Sequence, residues 1–205
     1  MKFRNAVISI GVGVGTAVGL TLMKVNKDLI VGSTAVAIGA GVIISLKDRD
    51  DFNKKIRNYE YFFNRAQDKF EVANYEEAIL DYGKALELSP TEVCLVYSMR
   101  GNAKRNLGDF DGAILDQNKA LDFDPLFTDG YFNRGIAKFK MGDFAGAIED
   151  YTKAIEINPK DSDAFFNRAN VRKEIGDVRG ACEDWRKGAE LGDEDAMKLV
   201  KENCE

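Results

Sequence analysis

Two hydrophobic patterns divide this chain. Residues 6–23 and 29–46 are each free of charge, and only "KVNKD" lies between them. As a helix, either stretch would cover about 27 Å, close to the roughly 30 Å hydrocarbon core of a bilayer. Residues 48–58 ("DRDDFNKKIRN") are highly charged, yet Phe52, Ile56, Tyr59 and Phe63 recur at helical spacing. That spacing predicts an amphipathic connecting helix running directly into the next element. From residue 59 onward, small and apolar residues return with a period near 34, which predicts pairs of short helices rather than strands.

The N-terminal stretches read as two membrane spans. A signal peptide is the rival, but no small-x-small cleavage site follows the first stretch and a second apolar run comes at once. A buried soluble hairpin is the other alternative, since both runs are rich in glycine and alanine. Gly11, Gly15 and Gly19 recur every four residues, as do Ser33, Ala37 and Gly41. Such a stripe lets two helices approach closely in lipid, within one chain or between copies. The pattern resembles other glycine-zipper hairpins, and it leaves open a homo-oligomer, a channel or a membrane-remodelling element regulated by the rest of the chain. Lys2 and Arg4 before the first span, and five basic residues in 47–57 after the second, outweigh Lys24 and Lys27 in the loop. Both termini are therefore expected on the cytoplasmic side of a bacterial inner, plasma or thylakoid membrane.

Charge and composition narrow the chemistry. Residues 1–58 carry a net +5 and residues 59–205 a net −10. An acidic main domain argues against nucleic acid. The chain has no histidine, which removes the commonest general base and metal ligand. No nucleophile elbow, phosphate loop or dinucleotide fingerprint occurs. A non-enzymatic protein without metal or cofactor is expected. Cys94, Cys182 and Cys204 are odd in number and form no C-x-x-C pair, which reads as reduced thiols rather than a disulfide framework or zinc site.

Within the periodic region, Pro90, Pro125 and Pro159 stand 35 and 34 residues apart. Ala78, Ala113, Ala147 and Ala181 open the second helix of each pair, and Ala66, Gly101, Gly135 and Ala169 mark close approach on the first. "GDF" at 108–110 and 142–144 and "GDV" at 176–178 form the turns; the first pair has Ala73-Asn74-Tyr75 instead, a departure expected to cost little. On these residues the chain resembles the tetratricopeptide repeat family. Its "NRA/NRG" motifs and its ending are similar to bacterial, particularly cyanobacterial, members. The resemblance implies an all-α fold: a right-handed α-α superhelix of four helix-turn-helix repeats (59–92, 94–127, 128–161, 162–195). A C-terminal capping helix follows within 193–205, and the two-helix transmembrane hairpin (1–47) precedes.

An arginine recurs on each first helix (Arg65, Arg100, Arg134, Arg168) and an aspartate on each second (Asp81, Asp116, Asp150, Asp184). At similar heights in an antiparallel pair they can meet as structural ion pairs, since an unpartnered buried guanidinium costs several kcal/mol. The alternative is an arginine ladder that grips acidic peptides. The aromatics Phe62, Tyr97, Tyr131 and Phe165 are expected between helices.

The resemblance also implies a concave groove lined by first helices. Its residues here are Phe63, Gln67 and Phe70; Ser98, Asn102 and Arg105; Phe132, Asn133, Ile136 and Phe139; and Phe166, Asn170 and Lys173. Packing and ligand binding both remain open for the phenylalanines. The family's carboxylate clamp for chaperone tails lacks its cationic residues here, with Phe63 and Gln67 in one frame and Ser98 and Asn102 in the other. The expected function is a membrane-anchored scaffold that binds a neutral or mildly basic peptide through apolar anchors and assists a membrane complex. Phe132→Ala with Phe139→Ala is expected to release that partner while leaving melting nearly intact.

Overall fold

The computed structural model describes residues 7–10, 20–23, 37–38, 41–42, 46–88 and 93–204. Nine helices occur among them: α1 Leu46–Glu71, α2 Tyr75–Leu88, α3 Val93–Asn106, α4 Phe110–Phe123, α5 Thr128–Lys140, α6 Phe144–Ile157, α7 Ser162–Glu174, α8 Val178–Glu190 and α9 Glu194–Asn203. Each packs on the next in sequence. The first helices also touch across repeats, α3 against α5 and α5 against α7, which places them on the inner side of the stack. The result is an all-α solenoid built from nearest-neighbour contacts.

Local chemistry sets the helix ends. Asp109, Asp143 and Asp177 accept hydrogen bonds from the backbone N–H of Gly112, Gly146 and Gly180, at 2.9, 2.9 and 3.0 Å. Each such cap is worth about 1 kcal/mol. Gly108, Gly142 and Gly176 take positive φ at the turns, where an L side chain is disfavoured. Ala73 fills the corresponding turn of the first repeat at φ 59°. The departure at 73–75 is therefore a strained one, corrected from the expectation of little cost.

The core is made of small residues against one large side chain per repeat. Tyr82, Gln117, Tyr151 and Trp185 occupy equivalent places on the second helices and are buried. A Cβ on Gly135 would lie 2.9 Å from the Tyr151 ring, so helix approach there requires glycine. At the end of the stack, α9 covers Trp185 with Ala196, Leu199 and Val200. A Cβ on Gly188 would meet that of Ala196 at 3.2 Å, which explains why glycine replaces the usual alanine there.

Two further expectations are corrected. The helical spans over 6–23 and 29–46 are strands where the structure describes them, apart from Leu46, which opens α1. Val7–Ile10 pairs antiparallel with Leu20–Met23, and Ala37–Ile38 with Gly41–Val42. β-branched Val7, Ile8, Ile10 and Thr21 favour the pleated backbone, and glycine costs a helix interior about 1 kcal/mol relative to alanine. Ala37 and Gly41 thus sit in strands and not on a helical stripe; Gly11, Gly15, Gly19 and Ser33 lie outside the described residues. Among the described residues no helix is long and apolar enough to cross a membrane. The second correction concerns the thiols: Cys182 on α8 and Cys204 after α9 form a disulfide. The return of α9 along α8 brings together residues 22 apart in sequence, their Cα atoms at 5.7 Å. Cys94 is a free thiol.

Candidate functional site: the inner groove and its arginine rungs

The charged inner positions decide which cations remain for a ligand. Arg65 donates to Asp81 through Nε and Nη2, both at 2.6 Å. Arg100 reaches Asp116 at 2.9 and 2.6 Å, Arg134 reaches Asp150 at 2.9 and 2.6 Å, and Arg168 reaches Asp184 at 2.8 and 2.7 Å. All four pairs have the parallel two-bond geometry that makes guanidinium–carboxylate contacts strong. All four aspartates are buried. The Arg65 guanidinium holds the Asp81 carboxyl down at about 2, against the opposing pull of burial. Hydrogen bonds to Asp116 and Asp150 raise Arg100 and Arg134 above the ordinary guanidinium value, while burial pulls the other way.

A second cation joins every rung. Lys69, Lys104, Lys138 and Arg172, four residues after the arginines, contact the same aspartates at 2.8, 2.9, 2.8 and 2.9 Å. Sequence reasoning missed them, although they recur with the same period. The arginines also reach sideways. Arg134 Nη1 donates to Asn118 at 2.5 Å and Arg168 Nη1 to Thr152 at 2.9 Å, both residues of the preceding repeat. Arg65, with no repeat before it, donates to Tyr61 at 2.8 Å. The guanidinium carbons of Arg65, Arg100, Arg134 and Arg168 lie 5.2, 5.3, 5.4 and 5.7 Å from the ring centroids of Phe62, Tyr97, Tyr131 and Phe165. These contacts fall within cation–π range. The rungs therefore use their charge inside the fold.

The groove residues divide into three groups. Phe63 and Phe132 set an edge against Tyr82 and Tyr151, with ring centroids 6.1 and 5.8 Å apart. Phe166 packs in the Trp185 cluster. Phe70 and Phe139 meet Tyr75 and Phe144 at 5.3 and 5.8 Å. Every one of these phenylalanines is half-buried, and so is Ile136. They belong to the core on one side and border the groove on the other. Truncating Phe132 and Phe139 would accordingly remove packing as well as surface.

The polar residues form the second group. Asn102 accepts from Gln117 Nε2 at 3.5 Å and Asn170 from Trp185 Nε1 at 3.2 Å. Gln67 Nε2 faces Met99 Sδ at 4.0 Å. Lys173 Nζ is 5.6 Å from the Trp185 ring centroid. Asn133 is half-buried on α5. Ser98 was expected in the lining, but it is buried and its carbonyl accepts from Gln117 Nε2 at 3.1 Å. Glutamine replaces the aromatic of other repeats at that place.

The third group is Arg105 alone. Its Nε is buried without a hydrogen-bond partner among the described residues. Desolvation lowers its pKa, and the nearby groups that bear on it electrostatically are the phenols of Tyr151 and Tyr75. One turn earlier on α3, Asn102 and Met99 join Gln67, Phe70, Glu71 and Tyr82 around a pocket of about 280 Å³. No cluster of metal-ligating side chains occurs among the described residues.

A solenoid of helix pairs, each packed on the next, with the first helices along its inner side, defines a helical repeat protein. Tetratricopeptide repeat models match residues 59–92 and 96–125, 128–161, and 150–183. The chain belongs to the tetratricopeptide repeat family. Among solved structures it is similar to a crystal structure of MamA, at 21% identity with a TM-score of 0.62, covering 73% of this chain and 86% of that one. A MamA fragment from Desulfovibrio magneticus RS-1 aligns at 18% identity, with a TM-score of 0.61 over 71% and 81% of the two chains. The first tetratricopeptide domain of Spaghetti (RPAP3), bound to an HSP90 peptide, aligns at 26% identity with a TM-score of 0.53, over 55% and 91%. No curated protein matches the chain in sequence.

Proposed function

We propose that the chain is a non-enzymatic scaffold whose inner groove binds an extended or helical peptide segment of a partner protein through apolar anchors. The observation that carries this reading is the row of half-buried apolar residues on the first helices, Phe63, Phe70, Phe132, Ile136 and Phe139, beside an open pocket. Aromatic-lined grooves of that kind suit apolar side chains presented one or two repeats apart. The domain of Spaghetti (RPAP3) is bound to a peptide, which supports the same mode here, though not the same ligand, given the missing clamp cations. The test is site-specific photocrosslinking in cells, with a photoreactive residue at Ile136 in the groove or at Leu115, which is exposed on α4. A discrete adduct from position 136 alone is expected. Equal adducts from both positions, or none from 136, would contradict the reading.

Membrane attachment by residues 1–47 is proposed from the apolar character of the two charge-free stretches and their flanking basic residues, not from a spanning helix. The scaffold would then hold its partner at the cytoplasmic face, assisting assembly or localisation of a membrane complex. Resistance to alkaline carbonate extraction for the full chain, lost on deletion of residues 1–47, is the expected result.

One observation favours a second reading of the compartment. Disulfides persist in oxidising surroundings, and the Cys182–Cys204 bond ties the capping helix to the last repeat. A periplasmic or lumenal solenoid would explain it. Trapping cells with acid and alkylating free thiols separates the two: blocked Cys182 and Cys204 indicate the cytoplasm, a protected pair the oxidising side.

A further inference from the structure

The cations of the inner helices are not equivalent. Arg65, Arg100, Arg134 and Arg168, with Lys69, Lys104, Lys138 and Arg172, are each engaged by a buried aspartate of their own repeat. Arg105 stands outside that scheme, its Nε buried and without a partner among the described residues. The place takes either a cation or an aromatic ring: the fourth repeat holds Lys173 there, its Nζ 5.6 Å from the Trp185 ring centroid. The equivalent residues of the first and third repeats are Phe70 and Phe139, which fill it by packing against Tyr75 and Phe144. A half-buried guanidinium left short of hydrogen bonds costs stability. The buried Nε lies beyond the reach of a ligand, but Nη1 and Nη2 also lack a hydrogen-bond partner among the described residues and are the atoms a ligand acceptor can meet.

Resting on the peptide-groove reading above, we infer that Arg105 recognises an acidic side chain, an aspartate or glutamate within an otherwise apolar segment lying along the groove. The surroundings agree with a single carboxylate. The titratable groups that bear on Arg105 are the phenols of Tyr151 and Tyr75. Burial of both the cation and its guest strengthens a charge-assisted bond, and the planar fork of arginine fits a carboxylate with two hydrogen bonds. An internal side chain fits better than a chain terminus. Apolar surface lies on both sides, Phe63 and Phe70 on one and Ile136 and Phe139 on the other, and a segment ending at Arg105 would leave one side empty. The neighbouring pocket has Glu71 in its lining, which disfavours a second acid there. The segment is thus neutral overall with one acid at its centre, a refinement of the neutral or mildly basic peptide expected from sequence.

The test uses the full-length chain and a random dodecapeptide display library. Three proteins are panned in parallel: wild type, Arg105→Gln, and Arg105→Phe, which installs the residue that the first and third repeats hold. Wild type is expected to enrich peptides with an internal Asp or Glu flanked by apolar residues, and both variants to enrich apolar peptides without the acid. A selected peptide is then titrated beside its Asp→Asn or Glu→Gln counterpart and its C-terminally amidated form. The internal amide should bind wild type about tenfold more weakly, the size expected for loss of a charged hydrogen bond, and bind Arg105→Gln no differently from the acid. Amidating the terminus should change nothing. Apolar peptides without an acid from wild type, an acid preference that survives Arg105→Gln, or a loss seen only on terminal amidation would overturn the assignment. Recovery of no peptide by any of the three would overturn the groove reading together with it.

Discussion

Arg134 on α5 grips Asp150 on α6 through two parallel hydrogen bonds, at 2.9 and 2.6 Å, while Lys138 holds the same carboxylate at 2.8 Å. The arrangement is lopsided: one buried acid serves two cations. Removing Asp150 strands both, whereas removing Arg134 leaves the carboxylate its lysine. Asp150→Leu should therefore destabilise by about 3–5 kcal/mol, the range for breaking a buried pair, and Arg134→Leu by less. The double variant should fall well short of the sum. Urea unfolding of the four proteins checks this, and additive losses would mean the pair is not coupled.

The link between repeats makes a separate prediction. Asn118 and Thr152 receive Nη1 of the following repeat's arginine, but the first repeat has Gly83 at that place. A Cβ there would lie 3.9 Å from Arg100 Nη1, an ordinary contact. Gly83→Asn should raise stability by relieving a mid-helix glycine and by offering Arg100 an acceptor. Up to about 1 kcal/mol is expected from these terms together. A lower melting temperature would show that the site cannot take a side chain.

Turn strain gives a paired test. Ala73 holds φ 59° where Gly142 holds φ 80°. Ala73→Gly should stabilise and Gly142→Ala should destabilise, each by about 1 kcal/mol. Differential scanning calorimetry reads both. Equal signs would contradict the strain argument.

Acid should weaken the first rung over a defined window. The Asp81 carboxyl sits at about 2, below its ordinary 3.8, chiefly through its bond to Arg65. A depressed folded-state value stabilises above the unfolded value and is lost as pH falls through the folded one. The stability difference between wild type and Asp81→Asn should hold constant above about pH 5 and shrink between pH 4 and 2. A difference that stays flat down to pH 2 would contradict the pairing.

The rungs were legible because both partners recur in phase. Arg65 and Asp81 differ in sequence by the same interval as Arg168 and Asp184, and the cost of burying an unpartnered charge supplies the link. Lys69 and its counterparts recur as regularly, but a lysine on a helix face reads equally well as solvated. Ser98 could not be placed from sequence because it stands where the other repeats hold the larger, half-buried Phe63, Phe132 and Phe166, and the short side chain is buried instead. The Cys182–Cys204 bond depends on where α9 lands against α8, and sequence separation carries no trace of that. In 6–23 and 29–46, helix and strand compete. The length of the runs argues for one, and their glycine and β-branched content for the other.

The central claim is that the inner face binds a peptide while the rungs beneath it only hold the fold. Ile136→Asn separates the two, because the equivalent place is polar in each of the other repeats, Gln67, Asn102 and Asn170, and Gln67 stands beside Tyr82 as Ile136 stands beside Tyr151. The decisive measurement is the affinity of full-length wild type and Ile136→Asn for a peptide selected on the groove, with melting recorded on the same samples. The account predicts binding weakened at least tenfold, as for an interface anchor lost, with a melting temperature within about 3 °C of wild type. Unchanged affinity at unchanged melting would contradict it.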